Sequence, residues 1–335
     1  MQKKITMAML AKELGLSESA VSKALNNYPD ISPETKKMVQ DKASELGYSP
    51  NIMARSLAKK TSSFLGIVIR DVSSIYGEMF KSLNAVARRY GLHLILYDTN
   101  NDPQIERECV QNLIDSMALG IVVVPVSEDI SELSRMTRGR VPVVFLGGKV
   151  RDNAVNYVCS DNAVGTQLAM DHLIHLGHRK IALLCDHKVS DSRSRKMQVY
   201  RQTMARLGVR EQILFSSPDA SDMVSAGYRL GLDLLRQHKE FTALFAMKDL
   251  LAVGAIHALR EQGFLVPQQI SVVGYDDIDA AALPLIGLTS VSQPRMEMAE
   301  QIIRILLRHA QDPSLPPEHY LARPELSVRQ STQAV

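Results

Sequence analysis

The first sixty residues contain the pattern that most limits how this chain can fold, a run of short helices with a glycine turn between the first two. Thr6 is a suitable cap for a first helix, and Gly15 can end it because glycine tolerates a left-handed backbone. Ser17 can cap a second helix, which we predict from about Glu18 to Leu25. A short polar helix joined to its partner by a tight glycine turn is typical of a helix-turn-helix.

A third predicted helix, from Ser32 to Leu46, completes a small all-α unit that carries the positive charge of the chain. Residues 1–60 hold ten Lys/Arg and six Asp/Glu, whereas residues 61–335 hold 29 and 30. Binding to phosphates requires such a concentration of positive charge. The pattern indicates a DNA-binding headpiece, and the alternative is a small helical domain with a solvated basic surface.

From Phe64 onward, short apolar runs alternate with amphipathic stretches. The apolar runs predicted as strands are 65–69, 93–97, 120–125, 141–146, 180–185, 243–246 and 270–275. The stretches predicted as helices are 78–90, 104–117, 163–176, 196–207, 224–237 and 249–262. Continuous Val/Ile/Leu strands between helices are typical of parallel sheets covered on both faces. We therefore predict two doubly wound lobes, with ligands beyond the carboxyl ends of the strands.

Composition and motifs exclude several other classes of protein. No apolar run approaches the roughly 18–20 residues that span a bilayer, and the N-terminus lacks the apolar region of a signal peptide. Cys109, Cys159 and Cys185 are too few and too scattered for a disulfide scaffold. The chain has no phosphate loop, no HExxH and no GxSxG motif. We therefore expect no enzyme, no catalytic residue and no cofactor.

Three histidines spaced by three residues raise the question of a metal site. His172 and His175 fall on a predicted helix that ends at Gly177, and His178 follows it. A structural role explains this pattern better than a metal ion, so we expect no metal.

Segments along nearly the whole chain resemble the LacI/GalR family of transcription regulators. Near the start these are LAKELGLSESAVSKALNN, ISPETKKMVQDKASELGYSPN and ARSLAKKTS. Later they are HLIHLGHRKIALL, FTALFAMKDLLAVGAIHALREQG, ISVVGYDDI and TSVSQP, which resemble the effector-binding core of the family. The resemblance implies a multidomain chain, with an all-α helix-turn-helix headpiece and a two-lobed, periplasmic-binding-protein-like α/β core of two parallel sheets. The implied limits are 1–49 for the headpiece, 50–60 for a hinge helix, 61–160 with 291–322 for the first lobe, and 161–290 with 323–335 for the second.

The resemblance also implies which residues contact DNA. Glu18, Ser19 and Lys23 lie where the second helix of the motif reads bases. In the family, two hinge helices of a dimer pair in the minor groove, where an apolar residue wedges a base step. Leu57 matches that residue here, although an inert linker is the alternative. The other predicted contacts, to phosphates or within the hinge, are Thr6, Ser17, Ser22, Asn26, Asn51, Ala54 and Arg55.

Polar side chains that follow the predicted core strands are candidate effector contacts. These are Arg70, Ser74, Tyr76, Asn101, Ser192, Arg195, Lys196, Lys248 and Asp276. The resemblance implies an aromatic contact at Tyr76, a polar or basic one near Lys196, and at Asp276 a carboxylate that accepts hydroxyl groups.

Two of these candidates depart from the pattern of the family. Lys248 replaces a usual asparagine, and Arg70 stands where small residues or proline are common. Added cations favour an anionic effector, such as a sugar acid, a phosphosugar or a similar carboxylate. The alternative is that Lys248 pairs with Asp249 or Asp276 and binds nothing.

Together these features predict a cytoplasmic, nucleoid-associated repressor whose affinity for operator DNA is controlled by a small molecule between two lobes. Two-fold symmetry would require a pseudo-palindromic operator. No leucine heptads occur near the carboxyl end, so we expect a homodimer and no larger assembly. The alternative is a periplasmic-type binding protein, whose two-lobed core would be alike but which would need no headpiece.

Overall fold

The computed structural model describes residues 5–48, 63–72, 75–147, 154–187, 190–218, 220, 222–237 and 240–335. Clustering of contacts divides the chain into two compact units, Met1–Ser62 and Ser63–Val335. The predicted hinge helix at 50–60 lies outside the described residues.

The first unit contains the three predicted helices. They are α1 (Met7–Leu14), α2 (Glu18–Leu25) and α3 (Pro33–Glu45). The Ser17 hydroxyl accepts a hydrogen bond from the Ala20 amide at 3.1 Å, and Ser32 caps α3 in the same way. Gly15 has φ +63° and ends α1, as a left-handed cap requires. Leu10, Val21 and Val39 have no exposed surface and hold the three helices together.

The second unit alternates strands and helices from Phe64 to the carboxyl end. Its helices are α4 (Ile75–Arg89), α5 (Pro103–Asp115), α6 (Ser131–Thr137), α7 (Asn162–His175), α8 (Asp191–Arg206), α9 (Met223–Arg236), α10 (Asp249–Glu261) and α11 (Arg295–Gln311). Its strands are β1 (Phe64–Ile69), β2 (His93–Asp98), β3 (Gly120–Val123), β4 (Val143–Leu146), β5 (Asn156–Ser160), β6 (Ile181–Cys185), β7 (Ile213–Phe215), β8 (Ala243–Ala246), β9 (Ser271–Asp276), β10 (Thr289–Ser292), β11 (His319–Ala322) and β12 (Glu325–Ser327). These bounds confirm every strand and helix predicted for the core to within five residues, the largest difference being the start of α8.

The strands form two six-stranded sheets, which define two lobes. The sheet of the first lobe has the order β11-β5-β4-β3-β1-β2, and all its pairs are parallel. The sheet of the second lobe has the order β12-β10-β9-β8-β6-β7. Its edge strand β12 runs antiparallel to β10, and the other pairs of this sheet are parallel. An antiparallel edge strand on a parallel sheet is common in such folds.

Both faces of each sheet are covered by helices, as parallel sheets require. Leu65, Ile67 and Ile69 of β1 face α4 and α11, whereas Val68 faces α5. The second lobe likewise has one core cluster on each face of its sheet. Cys109, Cys159 and Cys185 are buried free thiols.

The chain passes from one sheet to the other three times. The changes lie between β5 and β6, between β10 and β11, and between β11 and β12. Strand β10 ends at Ser292, and helix α11 then packs against α4 of the first lobe. The predicted limits of the two lobes stay a prediction.

Glycines allow a close contact between α9 and α10 in the second lobe. A Cβ atom on Gly227 would lie 2.1 Å from the Leu251 carbonyl oxygen, and one on Gly254 would lie 2.0 Å from the Val224 carbonyl oxygen. Real Cβ atoms do not approach backbone so closely, so only glycine permits this crossing. Among the described residues, no helix combines the length and the apolar character needed to cross a membrane.

Candidate functional site

Helix α2 presents a polar face opposite its buried Val21 and Ala24. Glu18 and Ser19 at its start are exposed, whereas Lys23 one turn later is partly buried. The Lys23 ammonium donates to the Asp30 carboxylate at 2.5 Å, a hydrogen bond that raises the pKa of Lys23. Sequence reasoning missed this half-exposed ion pair, which joins the Lys23 side chain to the segment between α2 and α3.

The other described headpiece candidates have local roles. Thr6 accepts from the Met9 amide at 3.3 Å and caps α1. The Asn26 amide donates to the Ser22 carbonyl at 2.7 Å and covers the end of α2. Four DNA-contact candidates, Asn51, Ala54, Arg55 and Leu57, lie outside the described residues, and so does the effector candidate Ser74.

A cavity of about 390 Å³ lies between the two sheets, beyond the carboxyl ends of their strands. That size is ordinary for a small-molecule site. Seven predicted effector contacts line it, namely Arg70, Tyr76, Asn101, Ser192, Lys196, Lys248 and Asp276. Arg70, Tyr76 and Asn101 come from the first lobe, and the other four come from the second.

The structure corrects one predicted effector contact, Arg195. Its guanidinium donates to Asp191 one turn back on α8, at 2.6 Å, and does not line the cavity. Arg193 lines the cavity instead. Two residues along a helix correspond to a turn of about 200°, so neighbouring arginines at 193 and 195 face nearly opposite directions.

Lys196 and Asp276 form a buried, charged floor of the cavity, and each has 6% of its surface exposed. The Lys196 ammonium donates to the Met247 carbonyl at 3.1 Å and lies 3.1 Å from the ring centroid of Tyr275. Burial lowers the pKa of Lys196 to about 8, and the Asp276 carboxylate opposes that shift. Burial likewise raises the pKa of Asp276, with Lys196 acting in the other direction.

Asp276 has an uncommon backbone, with φ +114°. Its carboxylate accepts from the Gln293 amide at 2.9 Å. Arg295 donates to the carbonyls of Asp276 and Asp277, at 2.8 and 3.0 Å. Backbone of this kind persists where surrounding contacts enforce it. Here those contacts come from the segment that leads out of the second lobe into α11.

Asp249 stabilises the same turn, at Asp276, through hydrogen bonds to neighbouring residues. Its carboxylate accepts from the Ser290 hydroxyl at 2.5 Å and from the Ile278 amide at 2.9 Å. Burial raises the pKa of Asp249 to about 7. A Cβ on Gly274 would lie 2.1 Å from the Asp249 carboxylate, so a glycine is required opposite it. Asp249 therefore positions the Asp276 turn and does not line the cavity.

Lys248 pairs with a residue that the sequence analysis did not single out. Its ammonium lies 2.8 Å from the Asp186 carboxylate, so the alternative of a structural ion pair holds for Lys248, but with Asp186 as the partner in place of Asp249 or Asp276. Burial would lower the pKa of Lys248, but the Asp186 carboxylate outweighs it and the pKa is raised. Asp186 directly follows β6, where it resembles the other strand-end candidates.

The cavity carries an excess of positive charge. Its lining includes five cationic side chains against three carboxylates. The cations are Arg70, Arg193, Lys196, Lys248 and Arg295, and the carboxylates are Asp71, Asp186 and Asp276.

The three closely spaced histidines do not form a metal site. His172 hydrogen-bonds the Thr332 hydroxyl at 2.9 Å, and His178 contacts Thr242 at 2.8 Å and the Gln333 carbonyl at 3.1 Å. Burial lowers the pKa of both histidines. These bonds fasten the carboxyl-terminal residues to the second lobe. Within the described ranges, no cluster of His, Cys, Asp or Glu could hold a metal ion.

Comparison with known proteins identifies both units. Residues 6–51 match the model of bacterial regulatory proteins of the lacI family, and residues 170–332 match a periplasmic binding protein-like domain. The HTH-type transcriptional regulator AscG of Escherichia coli is 30% identical over 308 residues, which is 90% of this chain and 91% of AscG. The regulator GalR of the same organism is 30% identical over 332 residues, or 97% of this chain and 95% of GalR.

The fold also matches a solved structure over nearly its whole length. A crystal structure of the Lac repressor dimer bound to operator and an anti-inducer superposes with a TM-score of 0.85 at 23% identity, and covers 99% of this chain and 100% of that one. This likeness confirms the predicted architecture of a helix-turn-helix headpiece with a two-lobed α/β core.

Proposed function

The chain belongs to the LacI family of bacterial regulatory proteins and is a transcriptional regulator, not an enzyme; we propose that it is a dimeric repressor whose operator affinity is controlled by a small anionic effector. The observation that carries the proposal is the convergence of seven predicted effector contacts on one cavity with an excess of positive charge. A neutral ligand would leave that excess without a counter-charge.

The headpiece supplies the proposed operator contacts. Helix α2 leaves Glu18 and Ser19 exposed at its start, where recognition helices contact base edges. Lys23 suits the acceptors of guanine, and contact with DNA would require it to leave Asp30. Binding to chromosomal DNA would place the protein in the cytoplasm, at the nucleoid.

A dimer is supported by an exposed apolar segment after β9. Leu283 is 53% exposed and Leu285 is 86% exposed. The Arg260 guanidinium donates to the Leu285 carbonyl at 3.0 Å, so the backbone that carries these leucines is fixed. The Lac repressor structure named above is a dimer on its operator. A second copy of this chain is therefore the proposed cover for Leu283 and Leu285.

Control of DNA binding would pass through the segment that joins the lobes. Gln293 and Arg295 hold the turn at Asp276, and α11, which begins at Arg295, packs on the first lobe. An effector that contacts Asp276 and the first lobe together would favour one arrangement of the lobes. The typical coupling between two such sites is about 1–3 kcal/mol, or about 5- to 150-fold in affinity.

The experiment that tests this function is selection of genomic DNA fragments on the purified protein, at fixed salt because phosphate contacts make affinity salt-dependent. We expect a pseudo-palindromic sequence to be recovered. Acids that are substrates or products of enzymes encoded beside that sequence should then change operator affinity in a fluorescence anisotropy titration. Recovery of unrelated fragments, or a response to neutral sugars and to none of the acids, would contradict the proposal.

A further inference from the structure

Two arginines, one from each lobe, line the cavity, and each has one N–H donor without an acceptor among the described residues. Arg70 follows β1 of the first lobe, and Arg193 lies in the first turn of α8 of the second lobe. The Nε atom of each is buried and has no acceptor among the residues that the structure describes. Buried donors are nearly always paired, so each unpaired one requires an explanation.

Each guanidinium is already held in place by other contacts. Arg70 donates through Nη2 to the Tyr76 hydroxyl and lies over the Tyr76 ring, 5.2 Å from its centroid. Arg193 donates through Nη1 to the carbonyls of Asp186 and His187, at 3.1 and 2.5 Å. It also lies 5.5 Å from the centroid of Phe215. Fixed guanidiniums lose little side-chain entropy when they bind an anion.

Two of the three carboxylates that line the cavity, Asp186 and Asp276, are engaged with other side chains. The Asp186 carboxylate pairs with Lys248 at 2.8 Å, so Arg193 contacts only the backbone carbonyl of Asp186. The Asp276 carboxylate accepts from Gln293 and lies near Lys196. Helices α8 and α10 also begin at the cavity, where the positive ends of their helix dipoles add positive potential.

We propose that Arg70 and Arg193 together seat one oxyanion of the effector, so that the charged group of the ligand bridges the two lobes. We call these residues the two-arginine site. The inference rests on the proposed function and adds to it the position and the role of the negative charge. A carboxylate or a phosphoryl group suits the site, because either can accept bidentate hydrogen bonds from arginine. The rest of the ligand would extend toward Asp276, whose carboxylate can accept hydroxyl groups.

Matched pairs of probes test the site in the full-length protein. D-Gluconate is compared with D-glucitol, D-glucose 6-phosphate is compared with D-glucose, and inorganic phosphate is added as the anion alone. Thermal unfolding and calorimetry measure binding. We expect at least one anion to stabilise the protein at millimolar concentration and its neutral counterpart not to do so. The probe pair in which only the anion stabilises the protein shows whether the site prefers a carboxylate or a phosphoryl group.

Variants then assign the anion to the two arginines. Arg70→Gln and Arg193→Gln should each weaken binding of that anion by about 10- to 100-fold, the usual effect of losing a charged hydrogen bond. Arg70→Lys keeps the charge without the fork of donors and should restore part of the loss. Arg201→Gln is the matched control, because Arg201 lies on α8 but pairs with Glu211 at the surface. That variant should bind the anion like the wild type.

A double-variant cycle tests whether one anion contacts both arginines. If it does, the Arg70→Gln/Arg193→Gln protein should lose less affinity than the product of the two single losses, because removal of either arginine already disrupts the shared contact. If the loss of affinity in the double variant equals the product of the two single losses, the arginines act independently, and the bridging role is overturned.

Three further results would overturn the proposal. They are preference for the neutral compounds, unchanged anion binding in both glutamine variants, and no stabilisation by any anion, inorganic phosphate included. Operator selection is measured separately and without these probes. The two-arginine site can therefore fail while the regulator function stands, and loss of operator binding would leave the anion measurements interpretable.

Discussion

Lys196 is the residue on which the charge of the cavity depends most directly. It is nearly fully buried, and the charged groups around it are Asp276, Asp186, Lys248 and Asp249. Because burial lowers its pKa to about 8 from 10.5, Lys196 is mostly charged below pH 8 and becomes neutral above it. We therefore predict that affinity for an anionic effector falls as the pH rises through about 8.

The pH prediction is measured by calorimetry with a carboxylate probe, whose own charge stays constant over this range. Affinity is compared one pH unit below and one unit above the pKa of Lys196. Lys196→Met should bind more weakly at the lower pH and should lose most of the dependence on pH. An equally steep dependence in that variant would assign the titration to another group.

Sequence reasoning placed seven of its nine effector candidates in the cavity but could not assign their partners. Strand ends in a doubly wound sheet converge by topology, so Arg70, Lys248 and Asp276 could be placed from the pattern alone. The choice between Arg193 and Arg195 depends on how α8 is rotated, and its polar sequence has no clear apolar face to indicate this. The pair between Lys248 and Asp186 joins segments far apart in sequence, so only the fold reveals it.

At the scale of elements, α2 should be the recognition helix that contacts the bases of the operator. We predict that Lys23→Ala weakens operator binding by about 1–3 kcal/mol and relaxes the preference at one base position. Lys42→Ala is the control, since Lys42 lies on α3 and pairs with Glu45. Anisotropy titrations against operators with single base changes measure both effects. Equal weakening on every sequence would show that Lys23 contacts phosphate and reads no base.

The contact between α9 and α10 gives a prediction of stability. Gly227→Ala should destabilise the protein by about 1–3 kcal/mol, because the added Cβ would lie 2.1 Å from a backbone oxygen of Leu251. Gly231→Ala, on the same helix, would meet the Ala258 side chain at 2.9 Å and should cost less. Denaturant unfolding of both variants makes the comparison, and an equal cost would show that the crossing adjusts freely.

Elements with a strong apolar pattern were predictable, and short or polar ones were not. Strand β7 has three residues, and β5 begins with Asn156 and ends with Ser160, so neither shows a clear period. Helix α11 also lies outside the predicted segments, although its buried residues Met298, Ile302 and Ile305 follow the spacing of a helix. This helical spacing of apolar residues would have predicted α11.

At the scale of the whole molecule, the exposed leucines after β9 give a test of assembly. Leu285→Glu should convert the dimer to a monomer in light scattering and weaken operator binding, because two headpieces would no longer bind as one unit. Leu285 is 86% exposed, so the substitution should leave the fold of the chain intact. Leu265→Glu is the control, at an exposed leucine outside this segment. A Leu285→Glu protein that stays dimeric would place the interface elsewhere.

The central claim is that an anion bound between the lobes changes the affinity of the headpiece for DNA. The most direct measurement is the operator Kd of the full-length protein with and without the anion that binds best, in wild type and in Arg193→Gln. We predict a ratio of about 5- to 150-fold in the wild type and a ratio close to one in the variant at the same anion concentration. Equal ratios in the two proteins, or no change in the wild type, would contradict the account.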